Sequence, residues 1–260
     1  MALLGIPPAI SLAIYALVIA LAFPFADLAS IRRLKRHTSS AARLALYRSG
    51  VVFLWITAAL AVALTHPQSL FTVPRSPADF GWLYANPWAF GMASLLVGAL
   101  LILIFSTGLQ CMLKKGVREK IAPAMNGLRF LLPVSRTERF WWALMSVSAG
   151  ICEEVLYRGF LLEFLRGRLE GGPQLGLTSA LLLSTIAFSA GHLYQGAAGM
   201  IKTAVLGLLF GMLAILSGSL LLPIVCHVLI DLQILWMYRP AVDAPDDARL
   251  LINGCEAKPG

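Results

Sequence analysis

Seven apolar runs follow one another along the chain, at about 6–29, 49–65, 88–113, 140–162, 177–194, 199–216 and 219–238, separated by polar connections. Crossing a bilayer as a helix takes roughly 20 apolar residues. The runs are continuous rather than alternating, so they predict helices that satisfy their own backbone, not the strands of a barrel. The expected fold class is therefore all-α, a polytopic membrane helical bundle of about seven transmembrane helices. Composition agrees, since 58% of residues are hydrophobic and only 13% charged, against about a quarter charged in soluble domains. The first run lacks a basic leading segment and is long for a signal peptide, so it reads as a retained span.

Charge adds a topology. The net charge of +8 raises the thought of nucleic acid, but its distribution argues against that partner. Arg32, Arg33, Lys35, Arg36, Arg43 and Arg48 lie between the first two runs, and Lys114, Lys115, Arg118, Lys120, Arg129, Arg136 and Arg139 follow the third. A basic excess in short connections marks the cytoplasmic side, which places the N-terminus outside and the C-terminus in the cytoplasm. The connection rich in Pro and aromatics from 66 to 87 then falls outside. The mixed stretch 114–139 suits a short amphipathic helix in the headgroups or an ordinary loop. The chain divides into N-terminal spans over 1–140, a core of four spans over 141–238 and a loosely patterned tail over 239–260. Its composition, rich in Ala, Leu and Arg, suggests the inner membrane of a bacterial cell. The four cysteines have no paired spacing and imply no disulfide framework.

The candidate chemistry interrupts the fourth run, where Cys152-Glu153-Glu154-Val155-Leu156-Tyr157-Arg158 puts two carboxylates and a guanidinium among apolar residues. Ionisable groups at that depth are costly and are kept with partners or in a wet cavity, usually for function. Glu154 and Arg158 are four apart and stack on one helical face, so they can neutralise each other. Glu153 is rotated by about 100° and does not stack on the arginine. The intramembrane histidines, His192 and His227, are its candidate partners. His227 and Asp231 are again four apart, and a carboxylate one turn away can fix an imidazole tautomer. Each histidine alone reads as well as a packing residue; two glutamates, two histidines and an aspartate in three spans point jointly to a site. Gly207 and Gly211, four apart, read as a close helix approach.

These residues resemble the CAAX-protease and bacteriocin-processing family of intramembrane proteases, also called the Abi family. Its Glu-Glu-x-x-x-Arg, Phe-x-x-x-His and His-x-x-x-Asn-or-Asp motifs stand here, in order, as Glu153-Glu154 to Arg158, Phe188 to His192, and His227 to Asp231. The resemblance covers roughly 141–238. It implies peptide-bond hydrolysis of a membrane-associated protein or peptide substrate. Glu153 and His192 would activate a water, His227 and Asp231 would stabilise the oxyanion, and Glu154 and Arg158 would hold the site together. An ionised Asp231 would repel an oxyanion, so it is expected either to be protonated or to orient His227. No cofactor is expected, although Glu153, His192 and His227 are enough donors for a catalytic zinc with an open position. A proton-coupled transporter, or a non-catalytic immunity or binding protein on the same fold, remains the alternative. One geometric difficulty is that His192 closes one run while His227 opens another, which would put them at different depths.

Overall fold

The computed structural model describes residues 8–65, 85–169 and 173–239. The connection 66–84, Gly171 and Gly172, the tail from 240 and Cys255 lie outside the described residues.

Helix dominates, and no strand is present among the described residues. The chain opens as one rod, with α1 (Pro8–Leu17) and α2 (Phe23–Arg36) joined through a π-helical turn, Val18–Ala22. The rod continues seven residues past the end of the first apolar run. Ile31 and Leu34 extend its buried stripe by packing with Tyr47 and Leu131, while Arg33, Lys35 and Arg36 fill the last turn, where cations complement the helix dipole. What reads in the sequence as a basic loop is thus largely helix. The next helix, α3 (Ser40–Leu64), starts at once, its N-cap Ser39 accepting from the Ala42 backbone N–H at 3.1 Å.

After the undescribed connection, α4 (Pro87–Leu113) runs nearly all outward, burying only Val97, Gly108 and Cys111. Trp88, Leu95 and Ile102 are 85%, 71% and 70% exposed, an apolar surface that water would not tolerate and lipid does. The mixed stretch becomes α5 (Lys115–Ile121) and a 3₁₀ segment, Ala122–Leu128.

The centre of the bundle is α6 (Arg136–Glu154), which continues through a second π-helical turn, Val155–Leu161, into α7 (Leu162–Arg166). Its start is fixed by a capping box between Ser135 and Glu138. Glu138, two residues ahead of the apolar run, is fully buried. It accepts from Arg43 Nε and Nη2 at 3.2 and 3.0 Å and from the backbone of Val134 and Ser135 at 2.6 and 3.0 Å. That pair ties α3 to α6 at the basic end.

The remaining helices are α8 (Pro173–Ala190), α9 (Gly196–Ser217) with a preceding 3₁₀ turn at Leu193–Gln195, α10 (Leu221–Leu232) and α11 (Ile234–Met237). α3 and α10 pack against α6, and α8 packs against α7 and α9. The α6–α10 approach is close because Gly150 has no side chain; a Cβ there would lie 2.8 Å from the Val228 backbone nitrogen. Gly207 and Gly211 let α9 approach Phe188 and Leu181 of α8 in the same way. Three helical segments, Ser40–Leu64, Pro87–Leu113 and Leu193–Ser217, are long and apolar enough to cross a membrane, and shorter apolar helices occupy Ala9–Leu21, Leu175–Ala190 and Leu221–Met237. This is a helical membrane protein.

Candidate active site

Both motif glutamates end α6, immediately before the wide turn Val155–Leu161. That turn is buried throughout, and its closing bond runs from the Leu162 N–H to the Tyr157 carbonyl, five residues back. π-Helical turns of this kind recur at functional sites because they re-aim side chains within a continuous rod.

Glu154 is fully buried, and its Oε1 accepts from Arg158 Nη1 at 2.9 Å. Arg158, 1% exposed, donates its other terminal nitrogen to the Gly207 carbonyl at 2.8 Å. The guanidinium lies 4.3 Å from the centre of the Phe188 ring and 5.6 Å from that of Phe210, an arrangement that stabilises a desolvated cation. The i, i+4 pair read from the sequence is therefore present, and it also fastens α6 to α9.

The imidazole of His227 enters from α10. Its Nδ1 lies 2.8 Å from the same Glu154 Oε1, so this nitrogen carries a proton and donates it to the carboxylate. The ring stacks on Phe210, with centroids 4.8 Å apart and planes 18° from parallel, and meets Phe188 edge-on at 5.9 Å. On its other side, Nε2 is 3.7 Å from Asp231 Oδ2 and 4.0 Å from Glu153 Oε2. The expectation that Asp231 orients His227 through the one-turn spacing is thus met by a different residue. Asp231 stands beyond hydrogen-bond length, and the carboxylate that holds the imidazole is Glu154, 73 residues away in sequence. No periodicity within one helix could have revealed that contact.

His192 reaches the cluster by a route the apolar run concealed. α8 ends at Ala190, two residues earlier than needed to hold His192 in the helix, and the chain turns through Leu193–Gln195 before α9 begins. His192 Nδ1 lies 3.0 Å from the Phe188 carbonyl; a carbonyl only accepts, so Nδ1 carries the proton and Nε2 is left as the acceptor. The ring is 5.2 Å from that of Phe188. Phe188 therefore touches His192, His227 and Arg158 together. The turn after Ala190 removes the difficulty of unequal depths.

Glu153 keeps 20% of its side-chain surface accessible and Asp231 37%, while His227 keeps 6% and Glu154 none. The arrangement thus grades from a dry, charge-neutralised floor of Arg158 and Glu154 to an accessible rim of Glu153 and Asp231. Two contacts escaped sequence reading: the stacking of Phe210 on His227, and the Gly207 carbonyl that receives Arg158.

A metal would need three converging donors. Among the described residues no group of three or more His, Cys, Asp and Glu side chains is arranged to hold one.

Residues 135–233 match the model of a protein family described as type II CAAX prenyl endopeptidase Rce1-like. Over this segment the chain is similar to the CAAX-protease family. The Rce1-like segment starts at the cap of α6 and ends just past Asp231, so it encloses the three motifs and the whole cluster around Phe188. No curated protein and no solved structure matches the chain.

Proposed function

We propose that this chain is an intramembrane endopeptidase that hydrolyses a peptide bond of a membrane-associated protein, using a water activated by Glu153. What carries the reading is the convergence of Glu153, Glu154 and Asp231 on the His227 imidazole, with His192 on the same phenyl ring, inside an otherwise apolar bundle. The similarity of residues 135–233 to that family supports the same reaction class.

In this mechanism the accessible carboxylate of Glu153 takes a proton from water, helped by the acceptor nitrogen of His192. The hydroxide adds to the scissile carbonyl carbon. His227, carrying a proton on both ring nitrogens, donates Nδ1–H to Glu154 and Nε2–H to the oxygen on which negative charge develops. Glu153 then returns its proton to the departing amine as the C–N bond breaks, so one water is divided between the two products. Asp231 helps to hold His227 in its donor form, and Glu154 with Arg158 keeps the imidazole aimed. No step is routed through a metal.

The six apolar helices together with the rod α6–α7 make seven crossings, with the N-terminus outside and the C-terminus in the cytoplasm of the cell inner membrane. The test is Glu153→Gln, which replaces the proton acceptor by an amide of equal size. Membrane and released peptides from cells carrying wild type or variant are compared by mass spectrometry. Cleavage should disappear while the variant remains folded, and its substrate should co-purify with it. Undiminished cleavage by the variant removes Glu153 from the reaction.

A further inference from the structure

The basic residues do more than report topology, because the fold gathers them into one surface. The end of α2 and the start of α3 meet the 129–142 segment through the cluster of Ile31, Leu34, Tyr47 and Leu131, with Phe130, Trp141 and Trp142 packed against it. Tyr47 donates its hydroxyl to the Leu131 carbonyl. Arg139, at the start of α6, donates to the Leu235 and Tyr238 carbonyls, and Trp236 donates to the Gly108 carbonyl at 3.1 Å. The last contact brings the end of α4, and α5 after it, to the same end of the bundle.

Cations from three separate chain segments therefore ring that end. Arg32, Arg33 and Arg36 are exposed on α2, Arg48 on α3, and Lys114, Lys120 and Arg129 on and around α5. Two are braced over aromatic rings: Lys35 lies 5.9 Å from the Phe130 centroid and Arg48 4.9 Å from that of Trp141. Counter-charge is scarce. Among the described side chains there, Glu119 pairs with Lys115 at 3.7 Å and Glu138 is buried against Arg43.

The neighbours of these cations say what covers them. Met112 and Leu113, directly before Lys114, are 57% and 70% exposed, and Phe140, between Arg139 and Trp141, is 65% exposed. A surface that alternates outward cations with outward apolar groups matches a molecule that has an anionic head and a hydrocarbon body. The cations sit around a perimeter on three segments, which suits many separate heads better than one peptide strand.

We infer that this ring is a binding surface for anionic phospholipids, which seat the basic end of the bundle at headgroup depth. Juxtamembrane cations attract such lipids within a Debye length. The surface also touches the candidate active site, because Tyr194 packs against the cluster that carries it and its ring lies 6.0 Å from that of His192. The inference stands apart from the proposed peptidase reaction, and its test reads no proteolysis.

The full chain is reconstituted in phosphatidylcholine vesicles carrying trace spin-labelled phosphatidylglycerol or spin-labelled phosphatidylcholine. Electron paramagnetic resonance measures the motionally restricted fraction of each. Phosphatidylglycerol should be preferred, and the preference should fall when salt is raised to about 1 M, where screening acts over about 3 Å. Two variants that leave buried residues alone, Lys114→Gln/Lys120→Gln/Arg129→Gln and Arg32→Gln/Arg33→Gln/Arg36→Gln, should each lower it at least about threefold. Equal restriction of the two labelled lipids overturns the inference. So does a preference that neither salt nor either variant changes. Binding of soluble poly-glutamate to the wild type without a lipid preference assigns the surface to an acidic protein partner instead.

Discussion

The adjacent glutamates should differ sharply in what they do for stability, and the difference can be worked from their surroundings. Glu154 is fully buried, accepts from both Arg158 and His227 and provides the nearest counter-charge to a guanidinium that is 1% exposed. Glu154→Gln keeps the shape but removes the charge that pairs directly with Arg158. Breaking one partner of a buried ion pair costs about 3–5 kcal/mol. The glutamine oxygen can still accept one bond, so the lower end applies, about 3 kcal/mol. Glu153 is 20% accessible and 4.0 Å from His227 Nε2, so Glu153→Gln should cost less than about 1 kcal/mol. At roughly 2–4 °C per kcal/mol, the Glu154 variant should melt about 6–12 °C lower in detergent, and the Glu153 variant within about 3 °C of wild type. Cys111, Cys152 and Cys226 are buried free thiols and supply the assay, since a thiol-reactive fluorophore reports when they become accessible on heating. Equal shifts for the two variants, or a larger one for Glu153→Gln, would refute the division between a structural and a reactive carboxylate.

Gly150→Ala should force α6 and α10 apart at the Val228 backbone, costing about 1–3 kcal/mol and reducing peptide cleavage by separating Glu153 from His227; a variant with wild-type melting and cleavage would count against the packing described. Stability should also depend on Glu138. Burial pushes its carboxyl up, but hydrogen bonds from Ser40, Val134, Ser135 and Arg43 outweigh that and hold it below the ordinary value. A carboxyl depressed in the folded state contributes stability above its unfolded pKa of about 4.3 and loses it as pH falls through the folded value. Thiol-accessibility melts from pH 7 down to the acid limit should therefore fall for wild type, and less steeply for Glu138→Gln. Exhaustive chelation should leave proteolysis unchanged; activity lost on chelation and restored by zinc would require a metal in the reaction.

How much of this was legible beforehand follows from range. The helical class and the Glu154–Arg158 contact lie within one run or one helical turn, and spacing alone reveals them. The partnership of Glu154 with His227 spans 73 residues, and only packing of α6 on α10 through Gly150 creates it. The extra length of α2 was hidden by its charge, because Arg32 to Arg36 read as loop while Ile31 and Leu34 kept the buried stripe going. The end of α8 was hidden by the opposite property: the apolar sequence runs on to Tyr194, although the helix stops at Ala190. Phe210 was legible only as part of the stretch Gly207 to Gly211 that resembles the family, since an aromatic in an apolar helix reveals no partner until a ring stacks on it.

The wide turn Val155–Leu161 has a consequence for how this protein tolerates change in length. Bonds that reach five residues back take in one residue more per turn than bonds that reach four back, so excising one residue there would restore ordinary winding with its two ends nearly in register. Removing Gly159 should therefore disturb the bundle less than adding a residue would, whereas a deletion between Glu154 and Arg158 would also break the four-residue spacing of their contact.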